Sequence, residues 1–470
     1  MKDATALLAD LKSGTITPRQ AVAEAIAKTE SSHTRLNAAI EILKTEATAQ
    51  LENLPAGALH GLPISVKECY AMAGRQIRSG STRMKPIQCS EDATVVKRLK
   101  AAGAVIVARG NTSEFLLGRE TDNLIYGTTN SAINPELTAG GSSGGDGSLT
   151  AGGCVAFGIG TDIGGSVRYP AAFNGIIGFK PASGMIDKTG IFPEAGVSFT
   201  ETMNSPGILC RSVRDARMIY QVIADKPLAV QNAVADKQVY TSSRFRVAVK
   251  DDSITTALDA AGNFFRESSF SVRDLEIPES GRLYILFAIL MCAGFTDNIY
   301  EWSTSADGRK LSFIGELIRR NRGKKTISDE LFGMLLPFNL LKPGASKLKK
   351  TIDEVTALRE KYYASLDNHI LLLPTLGILA PRHKKFVPQY NKPGVIEIIT
   401  PVSCCNVLNL SCITIPAWNY QKAPGVNPPA IQLACAPGNE ALLLNAAEQL
   451  EAALNSKIAK SDTQTANAEL

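Results

Sequence analysis

The sequence predicts an α/β fold. Three observations carry the prediction: short apolar segments of strand length, amphipathic segments of helical period, and their alternation along the chain. "TPRQAVAEAIAKTE" opens the first helix, with Thr17 at the N-cap, Pro18 at the first helical position, and Val22, Ala25 and Ile26 on one face. "LPISVKE" (62–68) alternates, with Ile64 and Val66 on one side and Ser65 and Lys67 on the other, which is a strand pattern. "EDATVVKRLKAAGAVIVAR" reads as a helix stopped at Gly103, then the strand "AVIVA". "SVRDARMIYQVI" (212–223) is an amphipathic helix. "HILLLPTLG" (369–377) and "NLSCITIPAW" are buried strands, and "EALLLNAAEQLEAAL" closes the pattern as a helix. Residues 456–470 are polar and predict a frayed end.

The middle reads differently. From about 225 to 365 the glycine rhythm stops, and "LYILFAILMCAGF", "RRNRGKK" and "ELFGMLLPFNLLK" place apolar helical segments beside basic residues. This stretch is expected to be a helical insertion within a single domain spanning 1–460. That domain would comprise N-terminal helices (1–60), a glycine-rich core (61–225), the insertion (225–365) and a C-terminal part of the core (366–455).

Composition narrows the function classes. A chain of 470 residues, 44% apolar and 20% charged, supports a large core. A net charge of +5 predicts no nucleic-acid footprint. "MKDATALLADLK" lacks the continuous apolar core of a signal peptide, and no unbroken run of 18 apolar residues predicts a membrane span. Nine cysteines without CxxC spacing read as reduced core thiols of an intracellular, cytoplasmic protein, the alternative being a single reactive thiol. His33, His60, His369 and His383 have no metal-ligand spacing, so neither a metal nor a cofactor is expected.

Residues 138–184 concentrate the chemistry. They hold 14 of the 38 glycines, in "TAGGSSGGDGS" (138–148) and "GIGTDIGGSVRYP" (158–170). A flexible linker would accept that composition but would not interleave the apolar "CVAFGIG" and "FNGIIGFKP". The glycines therefore read as parts of a packed core. "GGSSG" centres Ser142 in a G-x-S-x-G pattern, and "GSSGG" centres Ser143. A nucleophile elbow needs a strand before that turn, and "INPELTAGG" is not one. No glycine loop ends in Gly-Lys-Ser/Thr, so a P-loop is excluded. Spacing alone also permits a structural region whose serines bond only backbone.

The full constellation resembles the amidase signature family of serine hydrolases. The residues that carry the resemblance are "GLPISVKE" with Lys67, "GGSSGGDGS" with Ser142, and "GTDIGGSVRYPAAFNGIIGFKP" with Ser166. "SGTITPRQAVAEAIAK", "AAGAVIVARGNTSEF", "LLLPTLG" and "NLSCITIPA" extend it over most of the chain, most weakly at 225–365. The resemblance implies a large twisted mixed β-sheet with helices on both faces. It implies Ser166 as nucleophile, Ser142 as a bridging serine reached through a cis peptide after Gly141, and Lys67 as base. The backbone N–H groups of Ile163, Gly164, Gly165 and Ser166 would form the oxyanion hole. Ser143, Asp162 and Arg168 would support these groups, with Asp162 and Arg168 pairing structurally. Lys180 in "GFKP" is a rival base by sequence proximity but matches no catalytic position of the family. Without the resemblance, Lys67 would read as a surface lysine at a strand end.

The triad does not name the amide. Family members cleave small amides, peptide amides or fatty-acid amides, or release ammonia from glutamine within an amidotransferase. Asp146 stands where fatty-acid amide hydrolases usually carry an acid, and the apolar 283–342 region offers side chains for an acyl channel. The expected substrate is therefore a hydrophobic N-acyl amide. The bland alternative makes 283–342 ordinary core helices. Peripheral membrane contact through 319–350 is expected, with Phe332, Leu335 and Leu336 in contact with lipid, and a homodimer is left open. A scaffold protein without activity would have lost Lys67, Ser142 or Ser166, and all three are present.

Overall fold

The computed structural model describes residues 2–193, 199–228, 238–241, 248–268, 270–275, 277, 279–304, 308–385 and 395–468, with no side-chain description at 238, 395–397 or 457–468. Most of the frayed end expected at 456–470 thus lies outside the described side chains. Among the described residues thirteen strands are seen. They are β1 (Ala39–Ile42), β2 (Pro63–Lys67), β3 (Gln76–Ile77), β4 (Ile87–Gln88), β5 (Val105–Gly110), β6 (Phe157–Asp162), β7 (Ile177–Lys180), β8 (Ser205–Cys210), β9 (Gln238–Thr241), β10 (Ser271–Asp274), β11 (His369–Pro374), β12 (Ser411–Pro416) and β13 (Ala430–Cys435). Eleven of them form one mixed sheet in the order β1-β5-β2-β6-β8-β7-β12-β13-β11-β9-β10, and β3 pairs with β4 separately. β2 runs parallel to both β5 and β6, so their C-terminal ends meet on one side of the sheet. Ligand sites of open parallel sheets gather at such an edge.

Helices cover both faces. Along β5, Ile106 packs with Val96 and Leu99 of the Thr94–Ala101 helix. Val105 and Val107 point the other way, to Val22, Leu36 and Leu149. The capping signals act as read: Thr17 accepts the Gln20 N–H, and the Gln20 side chain accepts the Thr17 N–H. Ser212 accepts the Asp215 N–H at the start of Val213–Ile223.

All five residues of β2 are buried. Its polar side is not solvated but packs under the Gly144–Ala151 helix, where Ser65 donates to Asp146. The 225–365 stretch contains the expected helices, among them Ser280–Trp302, Phe313–Asn321, Asp329–Leu341 and Ala345–Ser365, but it also supplies β9 and β10 to one edge of the main sheet. Both strands have four residues, too short for a strand period to stand out, and β10 is mostly exposed as edge strands can be. The Ser280–Trp302 helix is long and apolar enough to cross a membrane by length and composition, although Arg282 and Asp297 interrupt its apolar run. Here Leu283, Leu286 and Leu290 are buried in the main core, which accounts for much of its apolarity.

The glycines of the signature are sites of close approach. A Cβ at Gly145 would sit 2.5 Å from the Ala38 carbonyl oxygen and closer still to the Asn111 amide nitrogen. Gly281 has open space around its Cβ position inside a helix. Gly145→Ala should therefore destabilise the fold by about 1–3 kcal/mol through overpacking. Gly281→Ala should leave it unchanged or stabilise it by up to about 1 kcal/mol. Urea unfolding midpoints check the pair, and equal shifts in one direction would contradict this reading of the glycines.

Candidate active site

The end of β2 places Lys67 in the interior with no exposed surface. Its Nζ lies 2.7 Å from Ser142 Oγ and 3.0 Å from Thr161 Oγ1. Burial pushes the Lys67 amine below the ordinary lysine range. The fields of Cys69, Asp146, Asp162 and Glu68 pull it up but do not reverse this. Asp146 is the near carboxyl without an ion pair. It accepts from Ser65 Oγ at 2.7 Å, its other oxygen has no partner, and burial raises it to about 7.

Ser142 follows a cis Gly141–Ser142 peptide, with Gly140 at φ +75° before it. Ser143 latches this turn to the next segment. Its N–H donates to the Ser166 carbonyl at 3.2 Å, and its Oγ accepts the Thr161 N–H at 3.3 Å. Ser166 sits between β6 and the Arg168–Asn174 helix and lines the same chamber as Ser142 and Thr161.

A buried ion pair shapes the Ser166 turn. Arg168 holds Asp162 at 2.9 Å and also donates to Gln432 and to the Val402 carbonyl. Burial opposes the Asp162 charge, but Arg168, with help from Lys180 and Asn406, keeps its carboxyl well below the usual range. The carboxylate then accepts the N–H of Gly165 at 2.8 Å and of Val167 at 3.1 Å. This differs from the expectation that four consecutive N–H groups face a reacting oxygen, because the Gly165 donor is already engaged. Gly165 has φ +108°, and a side chain there would collide with Tyr169 and Val402. A Cβ on Gly164 would lie 2.8 Å from Phe287. These glycines leave room for neighbouring side chains of the protein.

The other candidates fall away. Lys180 is fully buried and burial lowers its amine, but its Nζ donates to the neighbouring Pro181 carbonyl at 3.2 Å. No named strand precedes Ser142, His369 packs against Tyr240, and His383 lies against the Pro135 carbonyl, so no elbow triad forms. The nine cysteines are buried. Among the described residues no group of three or more histidine, cysteine or acidic side chains could hold a metal. Sequence reasoning missed Thr161 as a partner of Lys67. Its signal was its place in β6, the strand paired with β2.

A second cavity of about 300 Å³ opens from Ser166 and Gly164. Its walls include Leu116, Tyr169, Phe287, Met291, Phe338 and Leu341, and so come largely from the helices Ser280–Trp302 and Asp329–Leu341. Leu341 is 52% exposed, and Leu336, Leu340, Ile314 and Ile318 are exposed as well. Leu335 is buried, and Phe332 stacks on Phe313 under Arg320. Of the three side chains expected at a lipid surface, only Leu336 is well exposed, because the face of this helix that holds the other two packs inward.

The amidase family model matches residues 20–444. The chain is 30% identical over 374 residues to fatty-acid amide hydrolase 2-B of Danio rerio, covering 74% of this chain and 69% of that one. It is 29% identical to fatty-acid amide hydrolase 2 of Homo sapiens, covering 87% and 77%. It is also 26% identical to a glutamyl-tRNA(Gln) amidotransferase polypeptide of Sulfolobus acidocaldarius, covering 88% and 91%. A crystal structure of an amidase superposes with a TM-score of 0.79 at 25% identity, covering 96% of this chain and 99% of that one. With the family match spanning nearly the whole chain and the fold shared, the protein belongs to the amidase signature family, whose members are hydrolases acting on amides.

Proposed function

We propose that this chain hydrolyses amides with a hydrophobic acyl group through a Ser166 acyl-enzyme. The observation that carries the reading is the buried Lys67 amine 2.7 Å from Ser142, in a chamber shared with Ser166, from which an apolar pocket leads away. An unperturbed lysine is neutral in only roughly one molecule in 2,500 at pH 7. Burial supports the neutral form, whose lone pair accepts the Ser142 proton while Ser142 accepts that of Ser166. Ser166 Oγ then attacks the carbonyl carbon. The oxyanion is met by the N–H groups of Ile163, Gly164 and Ser166, held by the turn that Asp162 braces. The proton returns through Ser142 to the leaving nitrogen, the C–N bond breaks, and water releases the acid by the reverse relay.

The acyl side follows from the pocket. A cavity of about 300 Å³ carries many leucine, methionine and aromatic side chains, with Arg119 and Glu330 also in its wall, and its apolar share suits an alkyl or aryl chain. Leu341 in its wall is half-exposed, and Leu336 and Leu340 on the same helix are exposed too. Arg322, Lys324, Lys347 and Lys350 are exposed in the same 319–350 region. Apolar side chains among cations favour an anionic lipid surface, from which a poorly soluble amide could enter without crossing water.

A fluorophosphonate probe should label wild type on Ser166, and Ser166→Ala should lose both labelling and turnover. An adduct on Ser142 or Ser143 in active enzyme would overturn the assignment. Lys67→Ala should lower kcat/KM by roughly two to four orders of magnitude at pH 7, the scale of losing general-base help. In wild type the rate should rise as pH increases through the Lys67 titration. After substitution that limb should vanish and residual activity should climb with hydroxide, whereas an unchanged profile would place the base elsewhere. Each methylene buried is worth about 0.8 kcal/mol, so kcat/KM should rise steeply with acyl length until the pocket is full. Binding to anionic liposomes should weaken when Leu336, Leu340 and Ile314 become serine. Flat chain-length dependence without liposome binding would leave a small-amide hydrolase.

A further inference from the structure

The helix Asp329–Leu341, which helps to wall the larger cavity, is tied at its first turn to a segment that packs under Ser142. Ser328 caps the helix by accepting the Leu331 N–H and gives its own N–H to Glu114 at 2.6 Å. Two residues on, Glu330 turns its carboxylate toward another part of the chain. One oxygen accepts the Arg119 N–H at 2.8 Å, and the other accepts the Glu120 N–H at 3.3 Å. The fit is close, since a Cβ on Gly118 would lie 2.7 Å from the carboxylate. The helix dipole favours an acid in the first turn wherever it points. This one binds backbone 210 residues away in sequence.

That backbone underlies the relay serine. A Cβ on Gly141 would lie 2.8 Å from the Gly118 carbonyl oxygen and 2.9 Å from the Arg119 carbonyl carbon. Gly141 therefore rests directly on the peptide groups that Glu330 holds. Thr121, next along, donates its N–H to the Gly140 carbonyl at 3.1 Å and its hydroxyl to the same oxygen at 2.9 Å. The hydroxyl also accepts the Gly144 N–H at 2.9 Å. Residues 140–144 thus lean on residues 118–121, while Ser142 Oγ faces Lys67. Leu116 and Leu117, just before this stretch, line both cavities.

We infer that Glu330 is a positioning residue for the relay: its carboxylate fixes the 118–121 backbone on which Gly141 and Ser142 rest, and so couples the wall of the larger cavity to the serine beside Lys67. A relay tolerates little play. Misplacement by about 1 Å can cost roughly a hundredfold in rate. Glu330→Gln sets an NH2 group against one of the two backbone donors and leaves that donor unmet. The resulting loss falls unevenly on substrates. An amide uses the relay twice in acylation, to take the Ser166 proton and to protonate the leaving nitrogen. A p-nitrophenyl ester uses it once, because p-nitrophenolate leaves without a proton.

This inference rests on the relay proposed above, and Ser142→Ala lets the two fail separately. Decanamide and p-nitrophenyl decanoate give the enzyme one acyl group with two leaving groups, and kcat/KM reports acylation for each. Ser142→Ala should lower the amide-to-ester ratio by about tenfold or more. Glu330→Gln should lower the same ratio by about three- to tenfold with the amide KM within about twofold, and Thr121→Val should do likewise. Combining Glu330→Gln with Thr121→Val should cost little more than the larger single loss, because both act through one segment. Should Glu330→Gln not fold, Glu330→Asp, one methylene shorter, takes its place. If Ser142→Ala leaves the ratio unchanged, the relay reading fails and takes this inference with it. If Ser142→Ala lowers the ratio and Glu330→Gln does not, or if the two single losses multiply, the inference alone is overturned. A raised KM at an unchanged ratio would also overturn it, leaving Glu330 as part of the pocket wall only. If wild type cleaves no decanamide, the hydrophobic-acyl reading fails, and the same ratios are read on acetamide and p-nitrophenyl acetate.

Discussion

The relay we propose requires the Lys67 amine to remain uncharged in the middle of a protein that surrounds it with carboxyl groups. Glu68, Asp146 and Asp162 are all close enough to favour the ammonium ion, and each is handled by local structure. Glu68 accepts backbone N–H groups from Arg78 and Ser79, Asp146 is occupied by Ser65, and Asp162 is committed to Arg168. What remains at Lys67 Nζ are two hydroxyls, Ser142 and Thr161. Desolvation then outweighs the residual attraction, the direction that the proposed role of base requires. The parallel arrangement of β2 and β6 makes this work, since it delivers Lys67, Thr161 and the Ser166 turn to one edge of the sheet.

The Asp162–Arg168 pair extends the same logic to the backbone. Two fully buried ions are costly unless their remaining bonds are met, and here they are met by Gln432, Asn406 and the Gly165 and Val167 N–H groups. Arg168 thereby reaches β13 and the Val395–Val407 helix, which are distant in sequence. The pair braces the turn that carries Ser166 and engages its Gly165 N–H. Phe287 and Tyr169 press against the two glycines of that turn, so the helix that walls the larger cavity also limits the freedom of the Ser166 segment.

Much of the fold was legible because local signals agreed with it. Thr17 with Pro18, Ser212, and Gly103 at φ +87° mark element ends by mechanisms that need no tertiary context. The glycine-serine segments announced the site because close backbone approach, as at Gly145, tolerates no other residue. What stayed hidden depended on partners far along the chain. β9 and β10 are four-residue strands defined only by the sheet edge they join. The inward turn of Phe332 and Leu335 is set by packing of the Asp329–Leu341 helix, and a helix apolar on most sides gives no period that chooses a face.

The account stands on the protonation of one nitrogen. Neutron diffraction from deuterated crystals of the resting enzyme near neutral pD would locate the deuterons around Lys67 Nζ. A neutral amine with two deuterons, and a Ser142 hydroxyl deuteron directed toward it, is the predicted result. Three deuterons on Nζ, one of them on the line to Ser142 Oγ, would describe an ammonium ion that cannot accept a proton, and would contradict the mechanism.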